Sequence, residues 1–410
     1  PPRSTLFPYT TLFRSSDYVG GLVGDFSGLN CILAFSYSRG YVIGNNYVGG
    51  LAGITDNNGA IVVKSYSTAD VTSSGECAGG FSGFNYCEIR NCYATGDVSG
   101  NDKAGGFIGW NDYDIYMCYS SGHVTGTTLT DGFIGYMDTG TTANCYYDSQ
   151  TSGYSTGNFY GDPQTTAALM TQSTYVSSWN FTTTWWMVDG NTRPFLRMEW
   201  SEEITNSHQL QMMQMDKSAD YSLECDINLS DVTEASQMWG TNASSGAGFW
   251  PIGEEAPRFY GRFEGNNYTI SNLYINRPSQ DDVGLFGYIS GGAIIRNLQL
   301  HDVDVMGYYP VAGLAGNNLD STIVNVHVTG EISSTDEEVG GLVGYNWGTA
   351  KISDCSMTGN VSGPGDYIGG LLGFNNGGDV THCFFTGNVA GDDSVGGLCG
   401  QMNSGTLSDC

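Results

Sequence analysis

The feature that most narrows what this chain can fold into is a six-residue motif, apolar–Gly–Gly–Leu/Phe–x–Gly, that returns at nearly constant spacing. It begins as VGGLVG at Val19 and recurs as VGGLAG at Val48, AGGFSG at Ala78 and AGGFIG at Ala104, with a degenerate TDGFIG at Thr130. Taking the Leu or Phe as phase marker gives Leu22, Leu51, Phe81, Phe107 and Phe133, in steps of 29, 30, 26 and 26 residues. A second series runs Leu285, Leu314, Leu342, Leu371 and Leu398, in steps of 29, 28, 29 and 27. Such self-similarity marks an array whose units cannot bury their apolar faces alone and stack to share one core.

A second segment follows each motif, as in IRNCYATGDVSG (89–100), IVNVHVTGEIS (323–333), ISDCSMTGNVSG (352–363) and VTHCFFTGNVAG (380–391). Val326, Val328 and Ile332 share one parity, and His327, Thr329 and Glu331 the other. That is the period of a strand with apolar side chains inward. Ile323 breaks the parity, which predicts a corner near Asn325, a residue type that tolerates left-handed backbone. The Gly pairs are expected to supply positive φ at corners and to let neighbouring coils approach closely. The ten Leu and Phe markers are the expected inward knobs. Roughly 28 residues hold one turn of two or three short strands, each coil rising by about 4.8 Å. A propeller blade needs four strands and about 40 or more residues. The expected fold is therefore all-β, a β-solenoid (parallel β-helix) in two arrays with a capped junction.

Composition removes several alternatives. Gly is 60 of 410 residues but Pro only 10, and aromatics reach 13%, which excludes collagen-like and disordered chains. With 42 acidic against 14 basic residues the net charge is −28. Such a surface repels phosphate backbones and anionic headgroups, so neither nucleic acid nor a membrane surface is an expected partner. No run approaches 18 apolar residues, so no membrane-inserted helix is expected.

These repeats resemble the GLUG-motif family, which implies a long extracellular protein of adhesin-like type, such as the passenger regions of some IgA-cleaving peptidases. The resemblance runs from Tyr18 to Cys410 and implies a secreted or cell-surface location, with no particular activity. NCYYDSQTSG (144–153), TTAALMTQSTYVSSWNFTTTWW (165–186) and PFLRMEW (194–200) resemble the closing segment of one array. Trp179, Phe181, Trp185, Trp186, Pro194 and Leu196 are expected to plug its last coil, since an open solenoid end exposes sheet edge and core. SHQLQMMQM (207–215), DYSLECDINLS (220–230), FWPIG (249–253) and FYGRFEGNNYTISNLYI (259–275) resemble the opening of a second array. There Ser207 is the expected cap of a short helix, with Leu210, Met213 and a 221–223 strand over the first coil. The layout reads as solenoid over 16–153, Trp-rich closing cap over 154–203, opening cap and first coil over 204–275, and solenoid over 276–410. TLFPYTTLFRS (5–15) looks like a translated sequencing adapter, so residues 1–15 are expected to be disordered and the chain to be a metagenomic fragment.

Six of the eleven Cys share one phase: Cys92, Cys118 and Cys145, then Cys355, Cys383 and Cys410. Val326 and Leu298 hold the same phase, which favours a small apolar filler. Disulfides between neighbouring coils fit the Cα spacing but suffer from Cβ direction, and the chain lacks CxxC–His clusters for metal. His123, His208, His301, His327 and His382 are scattered, and HExxH and GxSxG are absent. Asp112/Asp114, Asp226/Asp231, Asp281/Asp282, Asp302/Asp304 and Asp392/Asp393 form acidic pairs at turns, without an EF-hand or nonapeptide pattern. They read as solvated carboxylates, with structural calcium at a corner the alternative; no cofactor, metal-binding or catalytic residue is assigned. A Thr series (Thr95, Thr329, Thr358, Thr386) has flanks too varied for a flat face.

Tyr37, Tyr66, Tyr93 and Tyr119 recur at one phase and are expected to form an exposed aromatic stripe, a possible ligand face for a glycan or a protein of a host or neighbouring cell. The bland alternative is that they shield the sheet. The reading is a non-catalytic extracellular repeat region serving as adhesive surface or stalk. The alternatives are a polysaccharide-active β-helix enzyme, which would need a groove of converging carboxylates, and a passenger region of a secreted peptidase.

Overall fold

A computed structural model describes residues 12–14, 16–156, 160–241 and 246–410. The chain divides into two compact units, Pro1–Met198 with Glu234–Asn242, and Glu199–Thr233 with Ala243–Cys410. The boundary thus lies between 198 and 199, and a short return segment, 234–242, joins the first unit.

Both units are all-β solenoids of parallel strands. In the first, one coil runs Tyr66–Ser67, Asp70–Ser73, Glu76–Gly79 and Ser82–Arg90. Each strand pairs in parallel with its counterpart one coil away: Tyr66 with Tyr93, Val71 with Val98, Ala78 with Ala104, Ser82 with Ile108. The motif Leu and Phe point inward as expected. The Phe81, Phe107 and Phe133 rings stack at 4.8 and 5.1 Å, and each amide donates to the carbonyl of the next marker, Phe81 to Phe107 and Phe107 to Phe133, both at 2.8 Å. Leu51, Phe81, Phe107, Phe133, Leu285, Leu314, Leu342 and Leu371 are fully buried. Leu22, at 37% exposed, and Leu398, half-buried, are covered less. Both sit on outermost described coils, packed against a marker on one side only. Full burial needs a neighbour above and below.

The corner near Asn325 is present, at φ +54. Asn297, Asp354 and His382 hold the same conformation one coil apart. In the strand Thr322–Ser334, Val326, Val328 and Ile332 are buried while His327, Thr329 and Glu331 face outward.

The motif glycines do something narrower than expected. Left-handed backbone before the motif belongs to non-glycine residues, Tyr47, Cys77 and Lys103 among them. Gly49 and Gly50 are needed for space: a Cβ on Gly49 would run into the Ala52 carbonyl, and one on Gly50 into the Gly80 carbonyl of the next coil. Close approach, not positive φ, is what fixes glycine there.

The core also holds a polar ladder. Asn85 Nδ2 donates to Asn111 Oδ1 at 2.7 Å, and in the second unit Asn318 bonds Asn346 at 2.8 Å and Asn346 bonds Asn375 at 2.7 Å. All five are completely buried. Stacking one amide on the next lets a buried side chain keep its hydrogen bonds, where a lone buried Asn would carry a desolvation cost of about 1–3 kcal/mol.

One expectation about the caps changes. The short helix Ser207–Met212 is capped by Asn206, whose side chain accepts from the Gln209 amide at 3.0 Å, while Ser207 Oγ donates to Asp231 at 2.5 Å. Leu210, Met213 and the Tyr221–Leu223 strand are placed as expected: Leu210 and Met213 are fully buried, as are Tyr221 and Leu223 of the strand. Of residues 1–15, Leu12–Arg14 pair in parallel with Tyr41–Ile43; the others lie outside the described residues.

Candidate functional site

The tyrosine ladder forms, but it is not an exposed stripe. Tyr37, Tyr66, Tyr93 and Tyr119 stack at 5.1, 4.9 and 5.1 Å with ring planes within 7°. Tyr66 is 1% exposed and Tyr93 and Tyr119 are fully buried, with Tyr37 half-buried under the Arg39 guanidinium. The cover comes from the Trp-rich segment. Trp185 packs on Tyr93 and Tyr119, and Trp179 on Tyr119 and Tyr146. Trp179 Nε1 donates to the Asn144 carbonyl at 3.0 Å and Trp185 Nε1 to Asn91 Oδ1 at 3.2 Å, two coils further along. Trp179 and Trp185 therefore clasp the flank of the coils instead of plugging the last one. Tyr147, Tyr154 and Tyr160 pack against the core at that end, and the strand Asp162–Gln164 pairs beside Tyr146–Asp148.

One buried ion pair locks the clasp. Arg193 Nη2 donates to Asp148 Oδ2 at 2.5 Å, and both side chains are fully buried. The guanidinium also donates to the carbonyls of Gln237 and Ala235 in the return segment, while Asp148 Oδ1 accepts from the amides of Gln150 and Thr151. Tyr119 Oη donates to the Pro194 carbonyl at 2.9 Å and Thr95 Oγ1 to Gln237 Oε1 at 2.8 Å. Last coil, Trp segment and return segment are thus tied together on the tyrosine face. This pair was not singled out in the sequence, although Asp148 is an acidic residue in a strand position that holds Ser121 one coil earlier.

The phased Cys lie as core filler. Cys92, Cys118, Cys145, Cys355 and Cys383 are buried free thiols, and Cys410, on the outermost described coil, is exposed. Each Sγ bonds the carbonyl two residues back, Cys92 to Arg90 at 3.2 Å and Cys355 to Ser353 at 3.1 Å among them. Burial pushes the Cys77 and Cys87 thiols up to about 12, so they are inert. Among the described residues no three His, Cys, Asp or Glu side chains converge on a metal position, and no helix is long and apolar enough to cross a membrane. Thr329, Thr358 and Thr386 stand in register on the outside, but Thr95 is buried.

Among the acidic pairs, Asp282 has a neighbour two coils away, Glu338. Each sits at the left-handed corner before its motif. Burial, with Asp281 and Glu255 nearby, pushes Asp282 up to about 6 against the hydrogen bond from Asn317 and the charge of Arg258. Burial, with Glu337, Asp282 and Asp336, pushes Glu338 up to about 7. A carboxyl raised on folding means that the native state holds more protons than the unfolded one between about pH 4 and 7. Stability therefore falls as pH rises through that window. The second unit is expected to denature more readily at pH 8 than at pH 5, and Glu338→Gln to flatten that slope in urea titrations. Parallel curves for variant and parent would contradict it.

A different ladder does face outward. Phe84, Trp110 and Tyr136 are in register on three successive coils and half-exposed. Their rings meet edge to face, at 5.4 Å and 85° and at 5.7 Å and 73°. Beside them Tyr86, exposed, meets Tyr113 at 5.9 Å. Trp110 Nε1 donates to Asp112 at 3.0 Å and Tyr116 Oη to Asp114 at 3.1 Å.

With the repeat geometry in place, comparison with known proteins is specific on the repeat type. Residues 74–99, 336–362 and 365–390 match the family described as the GLUG motif. Those three stretches carry the GLUG motif. It is similar to halomucin of Haloquadratum walsbyi, 37% identical over 137 residues, which is 33% of this chain and 1% of that protein. It is 42% identical over 86 residues to a candidate Gly-rich membrane protein of Evansella cellulosilytica, covering 20% of this chain and 10% of that one. It is also 29% identical over 168 residues to an immunoglobulin A1 protease of Streptococcus sanguinis, covering 40% and 8%. The chain thus spans a tenth or less of the length of the curated relatives it matches. Among solved structures it is similar to a candidate immunoglobulin A1 protease from Bacteroides ovatus, with a TM-score of 0.39 and 20% identity over 50% of this chain and 62% of that one.

Proposed function

We propose that this chain is a non-catalytic segment of a secreted or surface-displayed protein, in which GLUG coils serve as a structural stalk with an adhesive face. The observation that carries the reading is the register. Among the described residues, the coil strands of each unit pair in parallel with those of the coils on either side, so a coil can be added without a new kind of contact. The acidic surface fits exposure outside the cell, where net charge keeps a long protein soluble and free of phosphate-bearing polymers. The names of the relatives, halomucin, a Gly-rich membrane protein and an immunoglobulin A1 protease, support the same location. The match to the immunoglobulin A1 protease favours a second reading, a passenger region beside a peptidase domain.

Protease shaving of intact cells that make the full-length protein tests the location. Peptides of this region released while cytosolic markers stay inside support the reading. Their recovery only after lysis would overturn it.

A further inference from the structure

We propose that the outward sheet face of the first unit, carrying Phe84, Tyr86, Trp110, Tyr113, Tyr116 and Tyr136, binds a neutral polysaccharide chain. The proposal rests on the adhesive reading above and names its ligand class. The tyrosine ladder is unsuited to such binding, because its rings lie parallel and present only edges, and the chain's own tryptophans cover it. On the outward face the rings meet at 66–85°. In an edge-to-face pair one ring offers only its edge, so that ring's faces are not spent on its partner.

Carboxylates stand between the rings. Asp112 is held beside Trp110, Asp114 beside Tyr116, and Glu88 lies on the same strand face as Phe84 and Tyr86. Burial, with the Asp138 carboxylate, raises Asp112. The local cations are engaged: Lys103 with Asp102 and over the Trp110 ring, Arg90 with Glu88 and over the Tyr116 ring. A protein partner favours an apolar patch centre depleted of charge, and here charge is interleaved with the rings. An acidic polysaccharide meets repulsion. A neutral, hydroxyl-rich chain can lay its C–H faces on the rings and donate hydroxyls to the carboxylates. Coils rising by about 4.8 Å repeat that arrangement along the face, which suits a polymer more than a single sugar.

Affinity electrophoresis of the whole chain in gels containing a soluble neutral glucan, alginate or pectate, with pull-down on cellulose and chitin, tests this. Retention by at least one neutral polysaccharide and by neither acidic one is expected. Trp110→Ala should weaken it about tenfold or more, as for a central aromatic anchor, and so should Tyr86→Ala, whose exposed ring makes misfolding a lesser concern. Thermal melts of both variants check the fold. No retention by any neutral polysaccharide, preference for the acidic ones, or undiminished retention by folded variants would overturn the proposal. Retention that survives in both variants leaves the adhesive reading standing and removes this face from it. A failure of cell-surface shaving removes the reading itself.

Discussion

Replacing Arg193 by alanine is expected to cost the first unit about 3–5 kcal/mol, because it leaves the Asp148 carboxylate buried without its counter-charge. The same change strips the donors that reach the Gln237 and Ala235 carbonyls, so the return segment loses its anchor. The loss should show first at the clasp. Trp179 and Trp185 are buried against the tyrosine ladder, and their fluorescence should shift to the red at denaturant concentrations where far-UV circular dichroism still reports intact coils. Substituting both partners by apolar residues, Arg193→Met with Asp148→Leu, should recover only part of the loss: it removes the unpaired buried charge but not the lost bonds to the Gln237 and Ala235 carbonyls and from the Gln150 and Thr151 amides. An Arg193→Ala variant with parental midpoint and tryptophan emission would show that the pair does not hold the clasp.

Phe107→Ala is the second large effect, also about 3–5 kcal/mol, from lost transfer free energy and an unfilled space between two stacked rings. Because coils contact only their neighbours, the damage should be local at first. Hydrogen exchange should accelerate in the strands around Phe81 and Phe133 before those around Leu51. Leu22→Ala, at a position already 37% exposed, should cost far less. Equal destabilisation by the two variants would mean that the stacked core is not where the stability lies.

The parts of the fold that depend on period were legible in the sequence. Leu51, Phe81 and Phe107 announce themselves because a glycine pair flanks each one, and those glycines cannot carry a Cβ without striking the next coil. The corner at Asn325 followed from broken parity, and the Cys phase from its exchange with Val326 and Leu298. What parity cannot show is cover contributed from far along the chain. Tyr93 and Tyr119 have the phase of outward residues and would be exposed in a bare coil. They are buried by Trp179 and Trp185, which lie 60 to 92 residues further on. The tryptophans were evident as a cap, but composition does not say whether a cap sits on an end or a flank. The Asn ladder was missed for a related reason. An inward Asn is unfavourable alone and becomes acceptable only when its neighbour is also Asn. Its trace is the recurring Gly–aromatic–Asn of Gly83–Asn85, Gly109–Asn111, Gly344–Asn346 and Gly373–Asn375. The aromatic of that same tripeptide is the outward ring, so one short signature encodes a core bond and a surface stripe.

Arg90 and Ala143 are 53 residues apart in sequence, yet Arg90 pairs with Tyr116 and Tyr116 with Ala143, which places them two coils apart on one ladder. Spin-labelled unnatural side chains at these two positions, read by electron paramagnetic resonance in frozen solution, test that winding directly. Backbones about 10 Å apart, two steps of about 4.8 Å, should broaden the spectrum strongly through dipolar coupling. A doubly labelled spectrum that superimposes on the sum of the single-label spectra would contradict the stacked-coil architecture.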